Sequence, residues 1–111
     1  MYVIVWHFQV SSGRERAFED AYGPGGDWAR LFERSNEFQG TELLRATVDE
    51  PLDEEAAKPS GRDYLTIDRW TSRGAYAAFS ERFSAEYEVL DERFLELCDI
   101  EECLGHFKTV A

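Results

Sequence analysis

The stretch Tyr2 to Val10 most constrains the fold, because it is a predicted strand with no side made for water. Its residues are mostly β-branched or aromatic, and turn-forming serine and glycine follow it at positions 11–13. Successive side chains of a strand point to opposite faces. One face carries Tyr2, Ile4, Trp6, Phe8 and Val10. The other carries Val3, Val5, His7 and Gln9. Both faces therefore need a covering layer.

The next elements follow from changes in periodicity. Helical spacing begins at Arg14, is broken by the glycine- and proline-rich positions 23–26, and resumes at Asp27, which can cap the new helical turn. Strands are predicted over Thr41–Val48 and Arg62–Trp70. Asp49–Asp63 between them contains prolines and many charges, which predicts a solvated hairpin loop.

A long helix is the strongest single prediction. Ser72 is a good N-cap residue, and one apolar stripe then steps by three or four residues. The stripe consists of Tyr76, Phe79, Phe83, Tyr87, Leu90, Phe94 and Leu97. A last strand is predicted over Glu101–Val110, with Gly105 marking a bulge or a close approach of the backbone.

The element order is β, broken α, β, β, long α, β. It predicts an α+β fold in a single domain over residues 1–111: a ferredoxin-like βαββαβ unit with a four-stranded antiparallel sheet and helices on one face. The helices would leave the second face of the first strand uncovered. A second copy of the same sheet is the simplest cover, so we expect a homodimer through sheet-to-sheet packing.

Charge and hydropathy exclude several classes of partner. The sequence has 23 acidic and 12 basic residues, a formal charge of −11, which repels phosphate backbones and anionic lipids. No apolar run approaches the roughly 20 residues that span a bilayer, and the N-terminus lacks the pattern of a secretory signal. We expect a cytoplasmic protein that binds neither nucleic acid nor membranes.

The sequence contains no phosphate-binding glycine loop, GxSxG, HExxH or CxxC motif. His7 is the candidate base, because an imidazole titrates near neutral pH, although a structural, hydrogen-bonded role is the alternative. His106 would lie on a neighbouring strand, and the two histidines form a weaker candidate metal pair for which no third ligand is indicated, so we predict no metal site.

Aromatic side chains are the candidate walls of a ligand cavity between sheet and helices. Tyr64, Trp70, Tyr76 and Tyr87 could line it, since aromatic walls suit a planar organic ligand, and Trp28, just after the helix break, could close it. The alternative is that each is a core residue.

Four fragments spread over nearly the whole chain carry a family resemblance: Trp28–Phe32 (WARLF), Gly40–Arg45 (GTELLR), Tyr64–Trp70 (YLTIDRW) and Glu86–Asp91 (EYEVLD). Together they resemble the antibiotic biosynthesis monooxygenase family of the dimeric α/β barrel superfamily. The resemblance implies a ferredoxin-like subunit packed on a partner's sheet and a cavity between sheet and helices. It also implies oxidation of aromatic substrates without metal, flavin or haem.

Two departures from family patterns bear on activity. In the polyketide-oxidising relatives an asparagine lies four residues before the tryptophan that Trp70 matches, and here that position is Thr66. Haem-degrading relatives have an asparagine on strand one and a histidine ten residues after the tryptophan. Here strand one has no asparagine and position 80 is Ser80, which disfavours haem degradation.

The leading hypothesis is a cofactor-independent monooxygenase acting on a small aromatic or polyketide-like compound, with His7 as base and Trp28, Tyr64, Trp70 and Tyr87 around the substrate. The alternative is a non-catalytic protein that binds a hydrophobic metabolite in the same cavity. A third interpretation fills the cavity with side chains and leaves a purely structural dimer. If His7 faces the partner instead of the helices, the leading hypothesis loses its base.

Overall fold

A computed structural model of the protein describes residues 1–47 and 61–110. Within these ranges the elements are β1 (Tyr2–Ser11), α1 (Glu15–Tyr22), α2 (Asp27–Phe32), β2 (Phe38–Arg45), β3 (Gly61–Trp70), α3 (Arg73–Arg82), α4 (Ser84–Arg93) and β4 (Ile100–Lys108). The strands form one sheet in the order β2-β3-β1-β4, and every neighbouring pair is antiparallel. This is the predicted ferredoxin-like arrangement. Most of the predicted loop Asp49–Asp63 lies outside the described residues.

The helix-facing side of the sheet is the core. On β1 the even-numbered positions Ile4, Phe8 and Val10 are buried, and on β3 every second residue from Tyr64 to Trp70 is buried. Helix α1 packs there through Phe18, whose ring stacks on Tyr22 with centroids 4.3 Å apart. Burial of each such side chain stabilises the fold by roughly 1.5–3 kcal/mol.

The opposite side of the sheet carries no helix and is called the open face below. The alternation of side chains places Val3, Val5 and His7 of β1 there, beside Leu65 and Ile67 of β3. These residues are only partly covered in the single chain. The helices therefore cover one side of β1, as predicted. The other side is only partly covered within the single chain, and its cover by a second copy stays a prediction.

The predicted single long helix is interrupted at Phe83. The N–H of Phe83 donates to the carbonyl of Phe79 and that of Tyr87 donates to the carbonyl of Phe83, both at 2.9 Å. The backbone of Phe83 departs from helical geometry, with φ −110° and ψ 24°, although these two hydrogen bonds are kept. The helix also ends at Arg93, before the predicted Leu97. No helix in the described ranges is long and apolar enough to cross a membrane.

The irregularity predicted at Gly105 is present in β4. Val5 pairs with Gly105 and Trp6 with Cys103, which leaves Leu104 as an extra residue in a β-bulge. Gly105 has φ +154°, and a Cβ atom there would come within 2.9 Å of the Phe107 ring. Because of this extra residue, the side chains of Cys103 and the residues before it point to the opposite side of the sheet from the one that simple alternation along β4 would give.

Candidate functional site

A cavity lies between the helix-facing side of the sheet and helices α1, α2 and α4. Its volume is about 40 Å³, well below the range for small-molecule sites, so an aromatic ligand requires the lining side chains to move apart. The walls are mainly aromatic, with a few polar groups. The lining residues are Trp6, Phe8, Tyr22, Trp28, Phe32, Thr41, Thr66, Asp68, Tyr87 and Glu101.

Asp68 is the one deeply buried carboxylate of this cavity among the described residues. It lies on an inward-facing position of β3, two residues before Trp70, and is only 8% exposed. Thr41 lies directly opposite on β2, and its hydroxyl donates a hydrogen bond of 2.6 Å to Asp68 Oδ1. Burial raises the pKa of Asp68 from 3.8 to about 6, and the bond from Thr41 only partly opposes this shift. The carboxylate is thus mainly ionised at pH 7.5 and able to accept a proton.

Thr66 continues the polar strip from Asp68. Its side chain is 4% exposed, lines the same cavity and lies opposite Trp6 of β1. Thr66 occupies the position at which the resemblance implies an asparagine, so that position does face the cavity.

Trp28 and Tyr87 form the helical wall. Their rings meet edge to face, with centroids 4.8 Å apart. Trp28 is 7% exposed, and its Nε1–H makes no hydrogen bond of standard geometry within residues 1–47 and 61–110, although the Tyr22 hydroxyl is near enough to interact weakly with it. A buried donor without a well-formed hydrogen bond costs free energy, so an acceptor on a bound molecule would stabilise this wall.

Glu101 of β4 marks the other end of the cavity. Asp68 pairs with Ile4, whereas Glu101 pairs with Phe8 on the far side of β1. With standard strand rise and spacing, their Cα atoms are about 16 Å apart across the sheet. Partial burial and the nearby charge of Asp91 raise the pKa of Glu101. The cavity therefore runs from a buried carboxylate to one at its mouth.

His7 lies on the open face, outside this cavity. Its Nε2 is 2.8 Å from Asp63 Oδ1 and its Nδ1 is 2.7 Å from Glu102 Oε1. Partial burial lowers the His7 pKa, but the hydrogen bonds and charges of the two carboxylates outweigh it and raise the pKa overall. This placement does not support the hypothesis that His7 is the base of the cavity, and it fits the hydrogen-bonded structural alternative.

Of the predicted aromatic walls, Trp28 and Tyr87 line the cavity, but Tyr64 and Trp70 do not. Tyr64 is 1% exposed, packs on Phe18 and donates its hydroxyl hydrogen to Glu19. Trp70 is fully buried among Phe38, Phe79 and Tyr76. Both are core residues in this chain.

The candidate metal pair is wrong, because the two histidines lie on opposite sides of the sheet. His106 pairs with Ile4 on the helix-facing side, where its ring contacts Tyr2 and Tyr76. Its Nδ1 forms a hydrogen bond with the Tyr2 hydroxyl. Across the described ranges, no three histidine, cysteine, aspartate or glutamate side chains converge on one point.

Sequence reasoning missed Asp68, Thr41 and Glu101 as site residues. The available signal was parity: Asp68 shares its strand face with Thr66 and Trp70, and a carboxylate on an otherwise apolar inward face is unusual. Glu101 gave no comparable signal, because the bulge at Leu104 decides which residues of β4 face the cavity.

The burial of Asp68 predicts a pH-dependent cost to stability. Asp68 binds its proton more tightly when folded, so folding is favoured below pH 3.8 and this advantage is lost as the pH rises through about 6. Asp68→Asn should therefore raise the free energy of unfolding by up to about 3 kcal/mol at pH 7.5. At pH 4 the gain should be small. Urea unfolding at equal protein concentration and both pH values measures this, and an equal gain at both would contradict it.

No protein-family profile and no curated protein matches the sequence. Solved structures do match over the whole chain. A mutant of MhuD, bound to two manganese protoporphyrin IX molecules per active site, has a TM-score of 0.67 and 22% identity, covering 100% of this chain and 96% of that one.

Two further structures have the same fold. A protein from Nitrosomonas europaea, provisionally named an antibiotic biosynthesis monooxygenase, has a TM-score of 0.64 and 16% identity over 100% of both chains. A mutant of SnoaB from Streptomyces nogalater, described as a cofactor-independent oxygenase, has a TM-score of 0.59 and 20% identity, covering 97% of this chain and 91% of that one. The chain thus has the fold of the antibiotic biosynthesis monooxygenases, and identities this low carry no activity with them.

Proposed function

We propose that this chain, which has the fold of the antibiotic biosynthesis monooxygenases, is a cofactor-independent monooxygenase acting on a small hydroxylated aromatic compound. The observation that carries the proposal is Asp68: a carboxylate 8% exposed, in an aromatic cavity, with its pKa raised to about 6. A general base works best when its pKa lies near the working pH.

The first step is removal of the substrate's hydroxyl proton by Asp68. The resulting phenolate is electron-rich and transfers electrons to dioxygen, so the substrate itself is the reductant. For a naphthol, one molecule and one O₂ give one naphthoquinone and one water: one oxygen atom becomes the new carbonyl and the other leaves as water. Asp68 returns the hydroxyl proton to the departing oxygen, the ring carbon that becomes the new carbonyl releases the second proton of the water, and the protein needs no cofactor for this balance.

The rest of the lining supports the same step. The aromatic rings of Trp28, Tyr87 and Phe8 exclude water from the reactive anion. The Nε1–H of Trp28 can donate to the carbonyl that forms. Thr66 replaces the asparagine of the polyketide-oxidising relatives, so the proton acceptor proposed here is Asp68 and not that position.

The neighbours point to different ligands, and the lining favours one of them. SnoaB is described as a cofactor-independent oxygenase, whereas MhuD was crystallised with a metalloporphyrin. Porphyrins of that kind carry carboxylates, and this cavity has carboxylates of its own at both ends and no cationic residue among the described lining residues. A small phenol suits the site better than a porphyrin.

Oxygen uptake tests the proposal. After treatment with a chelator and removal of the chelator, the protein should consume oxygen with anthrone or 1-naphthol, at a rate proportional to protein concentration. The product should contain one oxygen atom from ¹⁸O₂. No uptake across a broad panel of such phenols would contradict the proposal. Saturable binding of these compounds without uptake would establish the alternative, a binding protein for a hydrophobic metabolite.

We further propose that the open face packs on the same face of a second copy. Val3, Val5, Leu65 and Ile67 form its apolar centre, and Phe107, 51% exposed, extends it. The charged residues that the structure describes on this face are paired, His7 with Asp63 and Glu102, and Arg69 with Glu42 at 3.2 Å. Paired charges lower the cost of burying the face. His7 would then serve the dimer and not the cavity.

A further inference from the structure

The charged groups of the cavity are all of one sign. Asp68 lies at its inner end and Glu101 at its mouth, where the charge of Asp91 also acts. No lysine, arginine or histidine is among the described residues that line it. Nearby arginines are engaged elsewhere, as Arg93 is with Asp27 at 3.5 Å. An anion entering the cavity would therefore meet carboxylates and find no counter-charge.

Two polar atoms of the lining lack a hydrogen bond of standard geometry. Within the described ranges, the side-chain hydrogen bond of Asp68 is the one that Oδ1 accepts from Thr41, so Oδ2 can accept from a ligand. The Nε1–H of Trp28 is buried and makes no hydrogen bond of standard geometry, only a weak interaction with the Tyr22 hydroxyl, so it can donate to a ligand. A molecule that presents both a hydroxyl and an acceptor oxygen satisfies these atoms together.

We infer that the cavity selects its ligand by charge: it takes an uncharged aromatic molecule with a hydroxyl for Asp68 and an acceptor oxygen for Trp28, and rejects aromatics that carry a carboxylate. Glu101 at the mouth determines this specificity. The inference rests on the proposed function in one respect: both take the cavity as the ligand site. It does not require that the protein oxidise the ligand. Like charges brought together in a partly desolvated site repel strongly enough to discriminate between ligands of equal shape.

A pair of isosteric probes tests the inference. The probes are 6-hydroxy-2-naphthamide, which is neutral, and 6-hydroxy-2-naphthoate, which is an anion at pH 7.5. Calorimetric titration without oxygen should give a dissociation constant about tenfold or more lower for the amide. Glu101→Gln should reduce the ratio to about threefold or less, mostly through tighter binding of the naphthoate. Glu81→Gln, which removes the same charge from an exposed position on α3, should leave the ratio unchanged.

The outcomes separate the inference from the proposed function. Equal affinity for both probes, or tighter binding of the naphthoate, overturns charge selection and leaves the oxygenase proposal standing. A preference for the amide that Glu101→Gln does not reduce overturns the role of Glu101. Failure of both probes to bind overturns the inference, and oxygen uptake across the panel of phenols then decides the proposed function separately.

Discussion

Asp68→Asn is expected to lower kcat for oxygen uptake by about 10²- to 10⁴-fold, the usual contribution of a general base. Asparagine keeps the shape of the side chain and its acceptor oxygen for Thr41, which donates at 2.6 Å, but it cannot take a proton. The loss should appear in kcat more than in KM, since the amide Nδ2 that replaces Oδ2 can donate to the oxygen of the substrate hydroxyl and keep it bound. Steady-state measurement with an oxygen electrode provides the comparison.

Asp20→Asn is the matched control. Asp20 is exposed on α1, and its replacement changes the net charge by the same amount. It should leave kcat unchanged. The stability gain expected for Asp68→Asn at pH 7.5 shows at the same time that this variant is folded. A folded Asp68→Asn protein with more than a third of wild-type kcat would remove Asp68 from the mechanism.

Val5→Asp is expected to dissociate the proposed dimer, raising its dissociation constant by about 10²-fold or more. Val5 lies mid-strand on the open face, opposite Ile67, so a partner sheet would bury the new carboxylate without a counter-charge. Sedimentation over a range of protein concentrations measures the change. Val89→Asp is the control, because Val89 is 56% exposed on α4 and lies away from the open face.

The two variants also test the division of the sheet into two sides. If the Val5→Asp and Val89→Asp proteins have the same oligomeric state, or if the wild-type chain is a monomer at all concentrations, the open face is not a dimer interface. Activity of a monomeric Val5→Asp protein would further show that the cavity works within one chain.

The fold could be predicted from the sequence because its signals are local. Alternation along β1 and β3, the helix break at positions 23–26 and the cap at Ser72 each depend on neighbouring residues only. The interruption at Phe83 could not be predicted in this way: Phe79, Phe83 and Tyr87 keep a continuous helical stripe across it. There, tertiary packing of the aromatic side chains overrides the local pattern.

The site was less predictable, because it depends on which side of the sheet each residue faces. Parity separates His7 from Trp6, but only the packing of α1 decides that Trp6 faces the helices and His7 the open face. The same ambiguity applies to Asp68, whose carboxylate is an informative signal only once the side of β3 that faces the helices is known. Its raised pKa arises from burial, a property of the assembled layers.

The most direct test of the account is the pH dependence of oxygen uptake by the wild-type protein and Asp68→Asn, measured side by side from pH 5 to 8 with one phenol. Because the base must be ionised, wild-type kcat/KM should fall tenfold per pH unit below an apparent pKa of about 6. The Asp68→Asn protein should not show this decrease below pH 6, and its remaining rate should depend on pH only through ionisation of the phenol. If the wild-type kcat/KM does not decrease below about pH 6, or if both proteins show the same decrease, Asp68 is not the base.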